Sequence, residues 1–430
     1  MRPDHVAVLS DIEGSAAKLA DFCARHPAFA PGPDGRPEVR PGALFVHGGD
    51  VPDRFAGGQR AVAELLRLAT ATPERVVLVA GNRDLNKLRL TSELSEAGLA
   101  APPPVRVDDW NAWNAKHPLA PGGSARAHRL RWIFSRTMGA PDAFELRRRD
   151  RAAAGEPTDD ETVAQSFLDE LADGGAFRRL VQRSTLLARR GNTVFAHAGL
   201  TDDNIGFVPG ASERARDVDE WVGRLDEWYR GELGRWERDA HAWSGRGTRP
   251  GETLIRYAEP TTGQPANPHS VVYCRNVDEQ GKIALPGAQT IRWLLDSGVR
   301  RLVIGHTPSG DLPVILRTPD DAFEVVVADT SRSTTPEVPA LITLEGADLD
   351  TVTIQGQLEL PGGPAPVAFR SRVGRAAPLG KRTETGALII APAPDGLITY
   401  QLRPGWKVVY EIIAGPSAAP GLEPLAPPAR

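Results

Sequence analysis

Seven side chains of metal-binding type stand in five groups along the chain: Asp11 and Glu13, Asp50 and Asp53, Asn82, His197, and His306. Each group follows a run that reads as a buried β-strand. A lone histidine after a strand is more often a satisfied core residue than a ligand, and Asp-x-Glu-Gly is common by chance. Five such groups, each with a glycine close by that lets backbone approach a site, are hard to explain structurally. Together they predict a metal centre at the carboxyl ends of the strands, where open α/β sheets place their ligands.

The elements that must position these residues are legible in the hydrophobic pattern. Val6 to Leu9 reads as a buried parallel strand leading into Asp11-Ile-Glu-Gly14, and a helix follows from near Ser15 to about Arg25. After a Pro- and Gly-rich loop (27–41), strand 43–46 leads into His47-Gly-Gly-Asp-Val-Pro-Asp-Arg54. A helix over 58–71 shows Val62, Leu65, Leu66 and Ala69 on one face. Strand 75–80 then feeds Gly81-Asn-Arg-Asp84. Three strand–loop–helix units in a row argue for a parallel α/β layer.

Between 98 and 190, Pro102-Pro-Pro104, several tryptophans and a dense Arg/Glu/Asp segment predict a helical insertion over the core. Strand 192–196 precedes His197-Ala-Gly-Leu200. A second helical insertion, about 210–260, carries Trp221, Trp228 and Trp236 on one helix face, a spacing that predicts core packing. Val271 to Cys274 reads as a strand, 287–297 as a helix, and 301–304 and 324–328 as strands. From about 340 the pattern turns all-β. The expected division is a catalytic domain over 1–355, a β-rich segment over 356–415, and a disordered Pro/Ala-rich tail over 416–430.

Composition narrows the function classes. A formal charge of −4 over 430 residues gives no global signal for nucleic acid or anionic membrane. Cys23 and Cys274 are the only cysteines, far apart and without partners at metal spacing. No apolar run approaches the ~18 residues of a membrane span, and the amino terminus lacks the apolar core of a signal peptide. The expectation is a cytoplasmic protein with neither membrane nor nucleic-acid partner.

The set Asp11-Ile-Glu-Gly14, Gly49-Asp-Val-Pro-Asp53, Gly81-Asn-Arg-Asp84, His197-Ala-Gly-Leu200 and Gly305-His-Thr-Pro308 resembles the blocks of the calcineurin-like metallophosphoesterases in order and spacing. The Asp53-Arg54 pair and the His-Ala-Gly-Leu block look closest to the phosphoprotein-phosphatase branch. The resemblance implies a four-layer β-sandwich flanked by helices, with helical cap insertions, a C-terminal β-rich extension and two divalent ions at one rim. It makes Asp11 a ligand of the first ion and Asp50 the bridge, puts Asn82 and His197 on the second ion, and assigns His306 to the first. It also implies a metal-bridging hydroxide that attacks phosphate, with Arg54 clamping phosphate oxygens.

Two departures from the family pattern bear on the chemistry. Glu13 stands where the family has a metal-binding histidine. A site of Asp11, Glu13 and Asp50 favours Mn²⁺ or Mg²⁺ over Zn²⁺ or Fe; the alternative leaves Glu13 only hydrogen-bonded nearby. Arg83 stands where the family has the histidine that protonates the leaving group. Arginine cannot donate a proton at neutral pH, but it can hold the leaving oxygen electrostatically. Asp53 is expected to pair with Arg83, as a catalytic partner or as a purely structural bridge. Arg275 and Arg332 are further substrate-binding candidates from position alone.

The expected activity is that of a metal-dependent phosphomonoesterase acting on a phosphorylated small molecule, nucleotide or phosphoprotein. The alternatives are a phosphodiesterase or dinucleotide hydrolase, and a degenerate phosphate-binding module without turnover.

Overall fold

Seven strands form one sheet in the order Leu422–Pro424, Gly363–Arg372, Thr351–Leu360, Ala340–Glu345, His5–Leu9, Ala43–His47, Val76–Leu78. The last three run parallel to one another, whereas Ala340–Glu345 pairs antiparallel with His5–Leu9. A second sheet has the order Leu187–Arg190, Thr193–Ala196, Arg301–Ile304, Glu324–Val327, Val314–Arg317, and its three middle strands are parallel. A parallel bridge between Val79 and Thr185 joins the edges of the two sheets, and both contribute to one continuous buried core. This is a β-sandwich flanked by helices. The computed structural model describes residues 4–241, 243–245, 249, 251–259, 267–331, 337–360, 362–403, 407–415 and 420–425.

The helices form where the sequence supplies an apolar face, and some of them carry a side-chain cap as well. Ser15 caps Ala16–Arg25 by accepting from the Lys18 amide at 3.2 Å, and Leu19, Phe22 and Cys23 turn inward. Gly58–Ala71 buries Ala61, Val62, Leu65, Leu66, Leu68 and Ala69. Each fully buried Leu, Val or Phe contributes about 1.5–3 kcal/mol. Asp217 caps Val218–Arg238, in which Trp221 and Trp236 are fully buried and donate their indole N–H groups to the carbonyls of Phe207 and Leu88. Trp228 packs against Tyr257 instead. Core packing accounts for all three rings.

The first insertion contains Val107–Lys116, Ala125–Trp132, Ala143–Ala153, Asp160–Asp169 and Ala176–Arg183. A π-helical turn, Ile133–Thr137, ends at Met138, whose carbonyl reaches Arg83. Among the described residues no helix is long and apolar enough to cross a membrane.

Five sequence expectations differ from the structure. Phe29–Pro31 and Pro37–Val39, within the span read as a loop, pair as antiparallel strands. Leu187–Arg190, inside the span read as helical, is an edge strand of the second sheet. Val271 to Cys274 forms a turn and not a strand; a four-residue apolar run fits several buried conformations. The expected boundary at 355 falls inside Thr351–Leu360, which pairs along its whole length with Gly363–Arg372. The sheet that stands apart is the antiparallel set Leu388–Ala393, Gly396–Arg403, Lys407–Ile413. Within the tail expected to be disordered, Leu422–Pro424 pairs with Gly363–Arg372, while 416–419 and 426–430 lie outside the described residues.

Candidate active site and metal centre

The turns that follow the parallel strands of both sheets meet at one rim. The backbone there is held in unusual conformations. Asp11, Glu13, Asp50, Asp53 and His306 have φ of 53°, 46°, 54°, 94° and 61°, five of the eight non-glycine residues with positive φ among those described. Each such residue costs about 1–3 kcal/mol and persists only where its surroundings over-determine it. The surroundings do so. The Asp11 amide donates to Gly49 O at 3.0 Å, Glu13 N to Asp50 O at 3.0 Å, and the amides of Arg54 and Phe55 both donate to Glu13 O, at 2.7 and 2.8 Å. Asp84 ties three backbone amides. It accepts from Gly81 N at 2.7 Å and from Asp50 N and Val51 N at 3.0 Å each.

Two glycines are demanded by close approach. A Cβ on Gly81 would strike the carboxylate and amide of Asp50 and lie 2.9 Å from His197 Cε1. One on Gly305 would strike Asp11 and Ser10.

His197 is fully buried. Its Nδ1 lies 2.8 Å from Gly48 O, and since a carbonyl only accepts, Nδ1 carries the proton. Nε2 then faces Asn82 Oδ1 at 3.1 Å and Asp50 Oδ1 at 3.3 Å. The ligand atoms of Asp50, His197 and His306 lie within 4.8 Å of one another. His306 therefore sits beside His197, with Asp50 within reach of both. The His306 amide also donates to Asp11 Oδ1 at 3.1 Å.

These residues fit a divalent cation. His306 Nε2 is buried without a partner; burial first, then the neighbouring Arg275 and His197, lowers its pKa and keeps it a neutral donor. Burial and the charge of Asp329 push Asp11 up. Burial also opposes charge on Asp50, yet His197 and Arg83 hold it below the usual carboxylate range. Burial lowers His197, but Asp50 and Asp11 outweigh it and raise the imidazole to about 10. A proton at Nε2 and a metal ion compete for the same lone pair.

Beside this group lies a cavity of about 290 Å³ lined by Asp11, Glu13, Asp50, Arg54, Asn82, Arg83, Asn86, Thr137, Met138, Gly139, Tyr273, Arg275, His306, Pro308 and Asp329. Arg83 spans its floor. Nε lies 3.1 Å from Glu13 and 3.5 Å from Asp50, while Nη1 lies 3.2 Å from Asp53 and donates to Met138 O at 2.8 Å. Lys87 forms a second ion pair with Asp53. Glu13, expected at a metal, places Oε1 on Arg83 and Oε2 on Arg54 Nη1 at 2.9 Å. Arg275 lines the cavity without a carboxylate partner among the described residues. Arg332 lies outside the described residues. Lys87 and Arg89 are buried, and Arg89 pairs with Glu93 and Glu259.

Sequence reasoning missed Asp329 as a site residue. It is 2% exposed, accepts from Ser331 N at 2.9 Å and faces the same cavity. The signal was present, since Asp329 follows Glu324–Val327 by two residues, as Asp11 follows His5–Leu9.

Among solved structures, similarity extends to a cold-active protein-tyrosine phosphatase from a psychrophilic Shewanella species, with 13% identity, a TM-score of 0.42, and coverage of 85% of this chain and 80% of that one. It extends also to a protein serine/threonine phosphatase from Saccharomyces cerevisiae (12% identity, TM-score 0.34, 80% and 73% covered). A metallophosphoesterase from Sphaerobacter thermophilus is 10% identical, with a TM-score of 0.30 and 81% and 86% covered. No curated protein sequence matches the chain. The sequence model of the calcineurin-like phosphoesterases matches residues 5–310, a span that takes in every loop of the rim except the one bearing Asp329. The chain belongs to the calcineurin-like phosphoesterases, metal-dependent hydrolases of phosphoester bonds.

Proposed function

We propose that the protein is a phosphomonoesterase for compact phosphorylated substrates with good leaving groups. The observation that carries this reading is the assembled Asp50–His197–His306 group beside a cavity of about 290 Å³ whose lining includes three arginines. That volume suits a small molecule or nucleotide better than an extended phosphoprotein segment. Asp50, Asn82, His197 and His306 would hold one ion, and Asp11 with Asp50 a second, Mn²⁺ being the best match to a carboxylate-rich position. Bound there, divalent ions supply Lewis acidity and neutralise charge developing on the phosphate oxygens.

The chain's own groups do the rest. Asp50 is kept ionised, and the Arg83 amide donates to its Oδ1 at 2.9 Å, fixing its orientation. Arg54, 34% exposed at its side chain, and Arg275 offer guanidinium donors to the phosphate. Burial would lower the Arg83 pKa, but Asp53, Glu13 and Asp50 more than offset it. Arg83 therefore stabilises a leaving oxygen by charge and supplies no proton. Aryl, enol and anhydride phosphates should be preferred to alkyl ones. Cys23 and Cys274 are both free and buried; a cytoplasmic setting is part of the proposal.

The test is hydrolysis of p-nitrophenyl phosphate and of an alkyl phosphate by protein stripped of metal and then given Mn²⁺, beside Asp50→Asn. The expected result is Mn²⁺-dependent turnover of the aryl ester, much slower turnover of the alkyl ester, and a loss of about 10³-fold in the variant. Equal rates on the two esters would refute the role of Arg83. No turnover with any divalent ion would sink the enzymatic reading.

A further inference from the structure

Glu13 occupies the position of a family metal ligand, yet every polar group it has is committed elsewhere. Its amide donates to Asp50 O, and its carbonyl accepts from the amides of Arg54 and Phe55. Its two carboxylate oxygens are divided between two guanidinium groups, Oε1 with Arg83 Nε at 3.1 Å and Oε2 with Arg54 Nη1 at 2.9 Å. The backbone beneath it is fixed by the turn. Glu13 has φ of 46°, the following Gly14 has φ of 99°, and a Cβ on Gly14 would meet Phe55 O at 2.6 Å. Glu13 is 5% exposed, so turning its carboxylate away from both arginines would leave a buried charge without its ionic partners. Among the described residues the assembled ligand group comprises Asp50, His197 and His306, without Glu13.

We propose that Glu13 is the brace of a two-arginine phosphate clamp and not a ligand of a metal ion. It holds one nitrogen of each guanidinium, Arg83 being held also through Nη1 by Asp53 and the Met138 carbonyl, and this leaves the outer arm of Arg54 and Nη2 of Arg83 for a phosphate. A guanidinium fixed in this way loses less freedom when it meets a phosphate oxygen. Glu13 is thus a positioning residue that acts through Arg54 and Arg83. The inference rests on the phosphate-binding reading of this cavity.

The test counts metal and phosphate separately. Glu13→Gln should bind as many Mn²⁺ ions per chain in equilibrium dialysis as the parent. Inorganic phosphate, titrated calorimetrically into the Mn²⁺-loaded protein, should bind about tenfold more weakly. In an Arg54→Ala background the same substitution should weaken phosphate less than it does in the parent, because half of what Glu13 positions is already gone. Loss of a Mn²⁺ ion from Glu13→Gln, or an unchanged phosphate affinity, overturns the proposal. A crystal structure of the Mn²⁺-loaded wild type is an independent readout that needs no folded variant. The Glu13 carboxylate should remain on both arginines, and a Glu13 oxygen coordinated to an ion overturns the assignment. Wild-type protein that binds Mn²⁺ and phosphate but hydrolyses nothing would defeat the phosphohydrolase reading while leaving the brace intact.

Discussion

Glu13 and Glu324 are buried glutamates that each hold a pair of arginines, and they do so for different ends. Glu324, at the start of a central strand of the second sheet, receives Arg301 Nε at 2.5 Å on one oxygen and Arg317 Nε and Nη2 at 2.8 and 2.6 Å on the other. All three side chains are 0% exposed. The remaining guanidinium arms are spent on carbonyls. Arg301 donates to Leu349 and to Asp350 at 3.0 Å, and Arg317 donates to Arg375 at 3.4 Å. Glu13 makes the same bridge at the rim, but Arg54 is one-third exposed and both arginines border an open cavity. The backbone under Glu13 is strained, whereas Glu324 lies in regular strand. A saturated bridge fixes one part of the fold to another, here the second sheet to the turn at 349–350 of the first. An unsaturated bridge keeps donors in reserve for a ligand.

The sharpest way to break this comparison is to neutralise the saturated bridge. Glu324→Gln leaves two buried guanidinium groups sharing one neutral acceptor, and removing one partner of a buried ionic set costs about 3–5 kcal/mol. Urea unfolding should show that loss at pH 7. Mn²⁺ per chain and the phosphate affinity of the folded fraction should match the parent. A large drop in phosphate affinity with little loss of stability would mean that the two bridges are not distinct in kind.

Much of the scaffold was legible because each buried parallel strand is a short apolar run that stops at a polar, glycine-rich turn. That pattern marked Asp11, Asp50, Asn82, His197 and His306, and would have marked Asp329 had it been applied to the strand at 324–327. The Arg301–Glu324–Arg317 bridge was not legible, since a charged residue opening a strand reads as surface until its partners from distant strands are known. The same limit applied to Glu13. Its place in the turn could be read, but the direction of its carboxylate is decided by Arg54 and Arg83, which arrive from the turn after Ala43–His47 and from the helix Asn82–Asn86. Leu422–Pro424 was hidden by the prolines around it, although an edge strand tolerates proline.

Acid offers a second way to separate scaffold from site, through His26 at the end of the first helix. Its Nδ1 accepts from the Ala28 amide at 3.1 Å, and its Nε2 meets Ile342 O at 3.2 Å. With one ring nitrogen accepting, the imidazole must stay neutral. Burial lowers its pKa to about 4, the contact with Ile342 O only partly opposing this. Between pH 6.5 and 4 the unfolded chain binds a proton that the native chain refuses. Stability present above pH 6.5 is therefore lost as pH falls, and the loss is complete near pH 4. The shift corresponds to about 3 kcal/mol. The difference in unfolding free energy between wild type and His26→Asn, measured across this range, should carry that slope. A difference independent of pH would show that His26 is not held neutral.

The smallest expected effect concerns Arg275, and it asks whether an arginine with no carboxylate partner among the described residues belongs to the reserved kind. Arg275 lines the cavity and lies close enough to His306 to lower its pKa. Were it structural, like Arg301, its removal would expose unpaired acceptors and cost stability. As a phosphate donor it should cost affinity instead. Arg275→Ala is expected to raise KM for an aryl phosphate about tenfold, the value of one hydrogen bond to a charged group, with kcat nearly unchanged. Its unfolding free energy should stay within about 0.5 kcal/mol of the parent. The opposite pattern, lost stability with KM unchanged, would move Arg275 out of the clamp and leave substrate binding to Arg54 and Arg83.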